Sequence, residues 1–109
     1  MAFYLVKTEL KEELSGELRK AMEENAFINL QPFGRALTFS LRNARIDENM
    51  EIVWEEEDYC TPPLAEERAA VLDKYFQILQ IEKVDKGAGW EKIRKLPKLF
   101  PELEKSLNR

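Results

Sequence analysis

The sequence predicts an α+β domain: a four-stranded antiparallel sheet with helices on one face, followed by a C-terminal helical extension. Three observations predict it. The chain has 109 residues, a length that suits one domain. Short apolar runs of period two alternate with runs of period three to four. Those runs fall in the order strand, helix, strand, strand, helix, strand, ahead of a final stretch rich in Trp, Leu and Phe.

Ala2, Phe3, Tyr4, Leu5 and Val6 make a short aromatic and β-branched run, the composition of a strand. Thr8 offers an N-cap for the next helix, and Glu9, Glu12 and Glu13 suit its positive end. Leu10, Leu14, Leu18, Ala21 and Met22 form one face of that helix to about Asn25, with Gly16 off the stripe. Residues 27–34 carry Asn29, Pro32 and Gly34 and read as a linker. Leu37, Phe39 and Leu41 then alternate with Ala36, Thr38, Ser40 and Arg42, which predicts a half-buried strand. Asp47, Glu48 and Asn49 make a turn. Met50, Ile52 and Trp54, alternating with Glu51, Val53 and Glu55, complete a hairpin. Leu41 and Ile46 differ in parity, so a bulge is expected at 43–45.

Thr61, Pro62 and Pro63 start a second helix, with Leu64, Arg68, Val71, Leu72 and Tyr75 on one side. Ile78, Leu79, Ile81 and Val84 predict a fourth strand over 76–84, although a helix continuing through Leu79 fits some of the same residues. Residues 85–89 form a turn. Trp90, Ile93 and Leu96 mark a short helix ended by Pro97, and Leu99, Phe100, Leu103 and Leu107 a last helical segment. Residues 1–84 thus follow the βαββαβ order, and 85–109 form the extension. This resembles the ferredoxin-like, or split βαβ, arrangement in element order alone.

Composition excludes several functions. There is no histidine, so a Ser-His-Asp triad, a Cys-His pair and His-bearing zinc sites cannot form within one chain. Cys60 is the one cysteine; it has no disulfide partner and fits a reducing compartment. No apolar run approaches the roughly 20 residues of a membrane span. The apolar N-terminal run reaches a charge at Lys7, too early for a signal peptide. The expected location is the cytoplasm. Lys and Arg number 17 against 21 Asp and Glu, a net charge of −4, which argues against nucleic acid as a partner. The excess of Glu over Asp leans towards a thermophilic source.

The charge is also segregated. Asp47, Glu48, Glu51, Glu55, Glu56, Glu57 and Asp58 meet no base, while Lys83, Lys86, Lys92, Arg94, Lys95 and Lys98 cluster later. Opposite patches of this kind steer association. Self-association, as a homodimer, or docking to a protein partner is the first expectation, with Glu55, Glu56, Glu57, Asp58, Trp90, Leu96 and Phe100 as contact residues. The alternative for the apolar C-terminal residues is that they close the sheet and complete the core. Glu55 and Glu57 share a strand face and are candidates for a hard cation. Two carboxylates are few for a dedicated site, so no metal or other cofactor is expected.

Two further features carry chemistry. Cys60 precedes the helix that begins near Pro62, a setting that lowers a thiol pKa, and Tyr59 stands beside it. Four acids immediately upstream oppose that effect, and no histidine is present to act as base. Gly87 and Gly89, with Lys86 and Lys92, resemble a weak anion-binding loop at a helix start. Two functions compete on these grounds. One is a small module that binds a protein or a small ligand. The other is a small enzyme without a transition metal, using carboxylate, lysine, Tyr59 or Cys60 chemistry.

Overall fold

In the computed structural model, which describes residues 2–101 and 103, the sheet is built around its first strand. β1 (Ala2–Leu10) lies between β3 (Ile52–Asp58) and β4 (Phe76–Val84), and β2 (Arg45–Ile46) pairs with the outer side of β3. Every pairing is antiparallel, in the order β2-β3-β1-β4. The α+β class and the four-stranded antiparallel sheet are as the sequence predicts, and residues 76–84 are strand.

The helices are α1 (Ser15–Glu23), led by a 3₁₀ turn at Glu12–Leu14, then α2 (Gly34–Arg42), α3 and α4 (Ala88–Ile93). α3 opens at Ala65–Glu67, widens into π-helical turns over Arg68–Leu72, and ends at Asp73–Tyr75. Strand parity divides the sheet into two faces. Val6 stands opposite Trp54 and Thr8 opposite Ile52. On that face these residues meet Leu18 and Met22 of α1, Leu37 and Leu41 of α2, and Val71 and Leu72 of α3 in one core. The Trp54 and Phe76 rings lie 5.3 Å apart within it. On the other face Leu5 stands level with Glu55 and Glu82. Both of these acids bond to α4, Glu55 through Gly89 N–H and Glu82 through Lys92.

Three local expectations are corrected. Residues 36–42 are helix, not strand. Leu37 and Leu41 satisfy both periods, but Thr38 and Ser40 are buried with them while Phe39 is 60% exposed, a pattern only a helix produces. Gly34 opens this helix where a Cβ would stand 2.4 Å from the Phe27 carbonyl oxygen. The hairpin therefore has only Arg45–Ile46 as its first strand, and Asn43 and Ala44, where a bulge was expected, are the exit from the helix. Thr8 is not a cap: β1 runs past it, and its buried hydroxyl donates to the Ile52 carbonyl at 3.1 Å. Met50 belongs to the turn, exposed and left-handed at φ 63°. Asp47 does close that turn, its Oδ1 accepting from Asn49 and Glu51 N–H.

The C-terminal segment covers the outer edge of β2. Ile46 N–H donates to the Pro97 carbonyl, Leu99 N–H donates to the Ala44 carbonyl, and Arg45 bridges to Lys98. Phe100 and Leu103 are buried in the core. Phe100, 5% exposed, is thus a core residue and not an exposed partner anchor. Leu107 lies outside the described residues. Among the described residues, no helix is long and apolar enough to cross a membrane.

Candidate functional site: a buried acid cluster beneath Cys60

The acidic run at the end of β3 is not a solvated patch. Glu55, Glu56 and Asp58 are 4%, 1% and 4% exposed. Strand alternation sends them to opposite faces, where they meet different partners.

Glu55 faces α4. Its Oε2 accepts from Gly87 N–H at 2.9 Å, and its Oε1 from Gly89 N–H at 2.7 Å and Trp90 N–H at 3.3 Å. The loop that resembled an anion site holds an anion supplied by its own chain. Gly87 is left-handed at φ 82°, and a Cβ on Gly89 would stand 2.9 Å from Glu55 Oε1. Lys86 lies 5.9 Å from the Phe3 ring centre and Lys92 pairs with Glu82; neither bonds to Glu55. Glu57 instead accepts from the Tyr59 hydroxyl at 2.8 Å. Glu55 and Glu57 therefore do not converge on a cation.

Glu56 and Asp58 continue the face of Ile52 and Trp54. Glu56 Oε1 accepts from Trp54 Nε1 at 2.9 Å. Asp58 Oδ2 accepts from Leu64 N–H at 2.5 Å and Cys60 N–H at 3.2 Å. That contact fixes the reversal from β3 into α3. Leu64, fully buried and left-handed at φ 65°, turns its N–H back onto Asp58. Glu67, in the first turn of α3, is 0% exposed. Its Oε1 accepts from Cys60 Sγ at 3.7 Å. One ligand atom each from Asp58, Cys60 and Glu67 lie within 4.8 Å of one another.

This cluster is under-compensated. Oε2 of Glu56 and Oε2 of Glu67 are buried without a hydrogen-bond partner. None of the ion pairs among the described residues includes Glu56, Asp58 or Glu67. Burying several carboxyls without a counter-charge is costly, and such groups hold protons instead. Burial holds the Glu56 carboxyl well above its ordinary range. Burial, then the bond to Asp58, pushes Glu67 up to about 7. Burial opposes ionisation of Asp58 too, but the bond from Glu67 and the N–H groups of Leu64, Cys60 and Tyr59 outweigh it, and Asp58 is held below its ordinary value. The Glu66 N–H works to lower the Cys60 thiol, but burial and the charges of Asp58 and Glu67 prevail and raise it.

The cluster opens to solvent through a cleft of about 320 Å³ whose lining includes Phe33, Arg35, Ala36, Tyr59, Cys60 and Glu67. A second hollow shares Arg35, Ala36 and Glu57 with it and runs on to Phe39, Lys86 and Trp90. Phe39 and Trp90 meet edge to face at 6.2 Å on that rim. Leu96 is half-buried, its carbonyl accepting from Arg45 at 2.6 Å.

Of the residues the sequence singled out, Cys60, Asp58 and Glu56 belong to this cluster and Tyr59 to the cleft wall. Glu67 and Arg35 were missed. Glu67 was legible: three residues after Leu64 and four before Val71, it occupies the apolar stripe of its helix, where a carboxylate is out of place. Nothing in the sequence marks Arg35. Compared with family models, curated proteins and solved structures, the chain gives no match.

Proposed function

We propose that the chain is a small binding module that takes a small cationic ligand in the cleft over Asp58, Cys60 and Glu67. One observation carries this reading. Three carboxyls are gathered in one buried cluster, two of their oxygens lack any donor, and the cluster opens to a cleft. A structural role alone is better served by apolar residues of similar volume. A cation entering from the cleft supplies the missing counter-charge. The scaffold is read as a ferredoxin-like arrangement in which α1 and α3 are the crossovers and α2 is an added helix. The order β2-β3-β1-β4 supports that reading.

A second reading, a general acid–base enzyme, has its own support. Neighbouring carboxyls whose environments push their pKa values apart are the usual makings of a proton-transfer site. Glu67 and Asp58 are such a pair, beside a cleft. Native mass spectrometry of protein purified gently and without chelator tests the binding reading. The expected result is a monomer carrying a discrete small adduct that Glu67→Gln loses. A homodimer or heteromer without an adduct overturns it in favour of an interaction module.

A further inference from the structure

Resting on the cleft reading above, we infer that the ligand is a divalent transition metal of the zinc class, held by the Cys60 thiolate and by one carboxylate oxygen each from Asp58 and Glu67. The donor set argues first. Two carboxylates alone suit hard cations, but a thiolate among them selects zinc-like metals over Mg²⁺ or Ca²⁺.

The spacing argues next. Zn–S near 2.3 Å and Zn–O near 2.0–2.2 Å in a tetrahedron place sulfur and oxygen about 3.5 Å apart. Cys60 Sγ and Glu67 Oε1 are 3.7 Å apart, and the whole trio lies within 4.8 Å. Small side-chain movements close it on an ion.

The surroundings supply the independent evidence. Glu67 is fully buried, yet its Oε2 has no donor, and Glu56 beside it is 1% exposed with a second orphaned oxygen. Once ionised, these oxygens are acceptors with no donor or cation to meet them. The outer support is also in place. Asp58 Oδ2 is fixed by two backbone N–H groups. Such contacts around a ligand set its orientation and affinity. Three protein donors leave a fourth position for water or a second small ligand.

On binding, Cys60 and Glu67 release their protons and the metal takes their place, with no change of oxidation state. The site then carries three negative charges against two positive.

Titration of the whole chain with Co²⁺, followed by competition with Zn²⁺, tests this. The expected result is a thiolate-to-cobalt charge-transfer band in the near ultraviolet that Zn²⁺ abolishes and Cys60→Ser lacks. Affinity falls at least tenfold in Glu67→Gln and is unchanged in Glu48→Gln, an exposed turn residue away from the cleft. In the unsubstituted protein, Zn²⁺ slows alkylation of Cys60, a readout independent of whether any variant folds. Co²⁺ binding without the thiolate band, or alkylation indifferent to Zn²⁺, overturns the metal. A non-metal adduct in the native mass spectrum then leaves the cleft reading standing. With neither metal nor adduct, both fall.

Discussion

Glu55 and Glu56 are neighbours in the chain and both are buried, yet they stand in opposite electrostatic situations. Glu55 has both oxygens engaged by backbone N–H groups at the start of α4. Glu56, one residue on and across the sheet, meets Trp54 with one oxygen and nothing with the other. It shares its pocket with two more acids. The same residue type, moved by one step of strand alternation, is a structural tie in one place and a carboxyl that burial keeps from ionising in the other. Burial alone therefore does not make a carboxylate functional. What separates the two is whether the fold provides the donors.

The largest effect that sharpens this contrast is expected at Glu55. Hydrogen bonds to a charged group contribute about 1.5–3 kcal/mol each when buried donors are otherwise left unpaired. Glu55→Ala orphans three N–H groups and is expected to cost about 3 kcal/mol in chemical denaturation. Gly89→Ala, which drives a Cβ towards the same carboxylate, moves stability in the same direction. If Glu55→Ala is neutral, Glu55 does not tie β3 to α4.

The next effect has the opposite sign and belongs to the other face. Glu67 has a folded pKa near 7 against an ordinary 4.5. Between those values the native state binds the extra proton, so stability falls as pH rises from about 4.5 to 7, and by up to about 3 kcal/mol. Glu56 acts in the same direction. Asp58, held low, acts the other way: its contribution is present above its ordinary 3.8 and is lost as pH falls through its lower folded pKa. The metal-free protein is expected to be more stable near pH 5 than near pH 8 in urea unfolding, and Glu67→Gln to flatten that slope. A profile that rises from pH 5 to 8 breaks the comparison.

The smallest effect is kinetic. With its thiol pKa raised by burial and by Asp58 and Glu67, Cys60 is expected to be labelled several-fold more slowly than a free thiol at neutral pH, because the thiolate is the nucleophile. Glu67→Gln narrows the gap. Labelling as fast as a free thiol removes the electrostatic coupling between sulfur and cluster.

Much of the cluster was legible in residue spacing. Glu56 and Asp58 have the parity of Ile52 and Trp54, so the core-facing side of β3 predicts their burial; it was their charge that suggested solvent. Glu67 sits on the apolar stripe of α3. What spacing does not carry is the reversal at Leu64 that brings β3 and α3 together, since a left-handed leucine has no sequence signature. The sheet shows the same division. β1, β3 and β4 are visible as apolar runs, whereas 36–42 fits two periods at once. Tertiary packing chose between them, burying Thr38 and Ser40 and leaving Phe39 out. The internal anion at Gly87 and Gly89 was half legible: the loop was recognisable, but its ligand came from a distant part of the chain.

The central position of β1 has a kinetic consequence. Its partners come from far along the chain, Trp54 opposite Val6 and Val84 opposite Phe3, while the one hairpin formed locally, β2 with β3, pairs only two residues of its first strand. Little of the sheet can assemble from neighbours. Closing such long loops must precede the contacts that reward it, which places folding among the slower small α/β domains, in milliseconds rather than microseconds. The cluster under Cys60 joins the end of β3 to α3, so Glu56 and Glu67 are desolvated only once those two elements have packed together. Until that late step, Glu56 and Glu67 remain free to ionise in water.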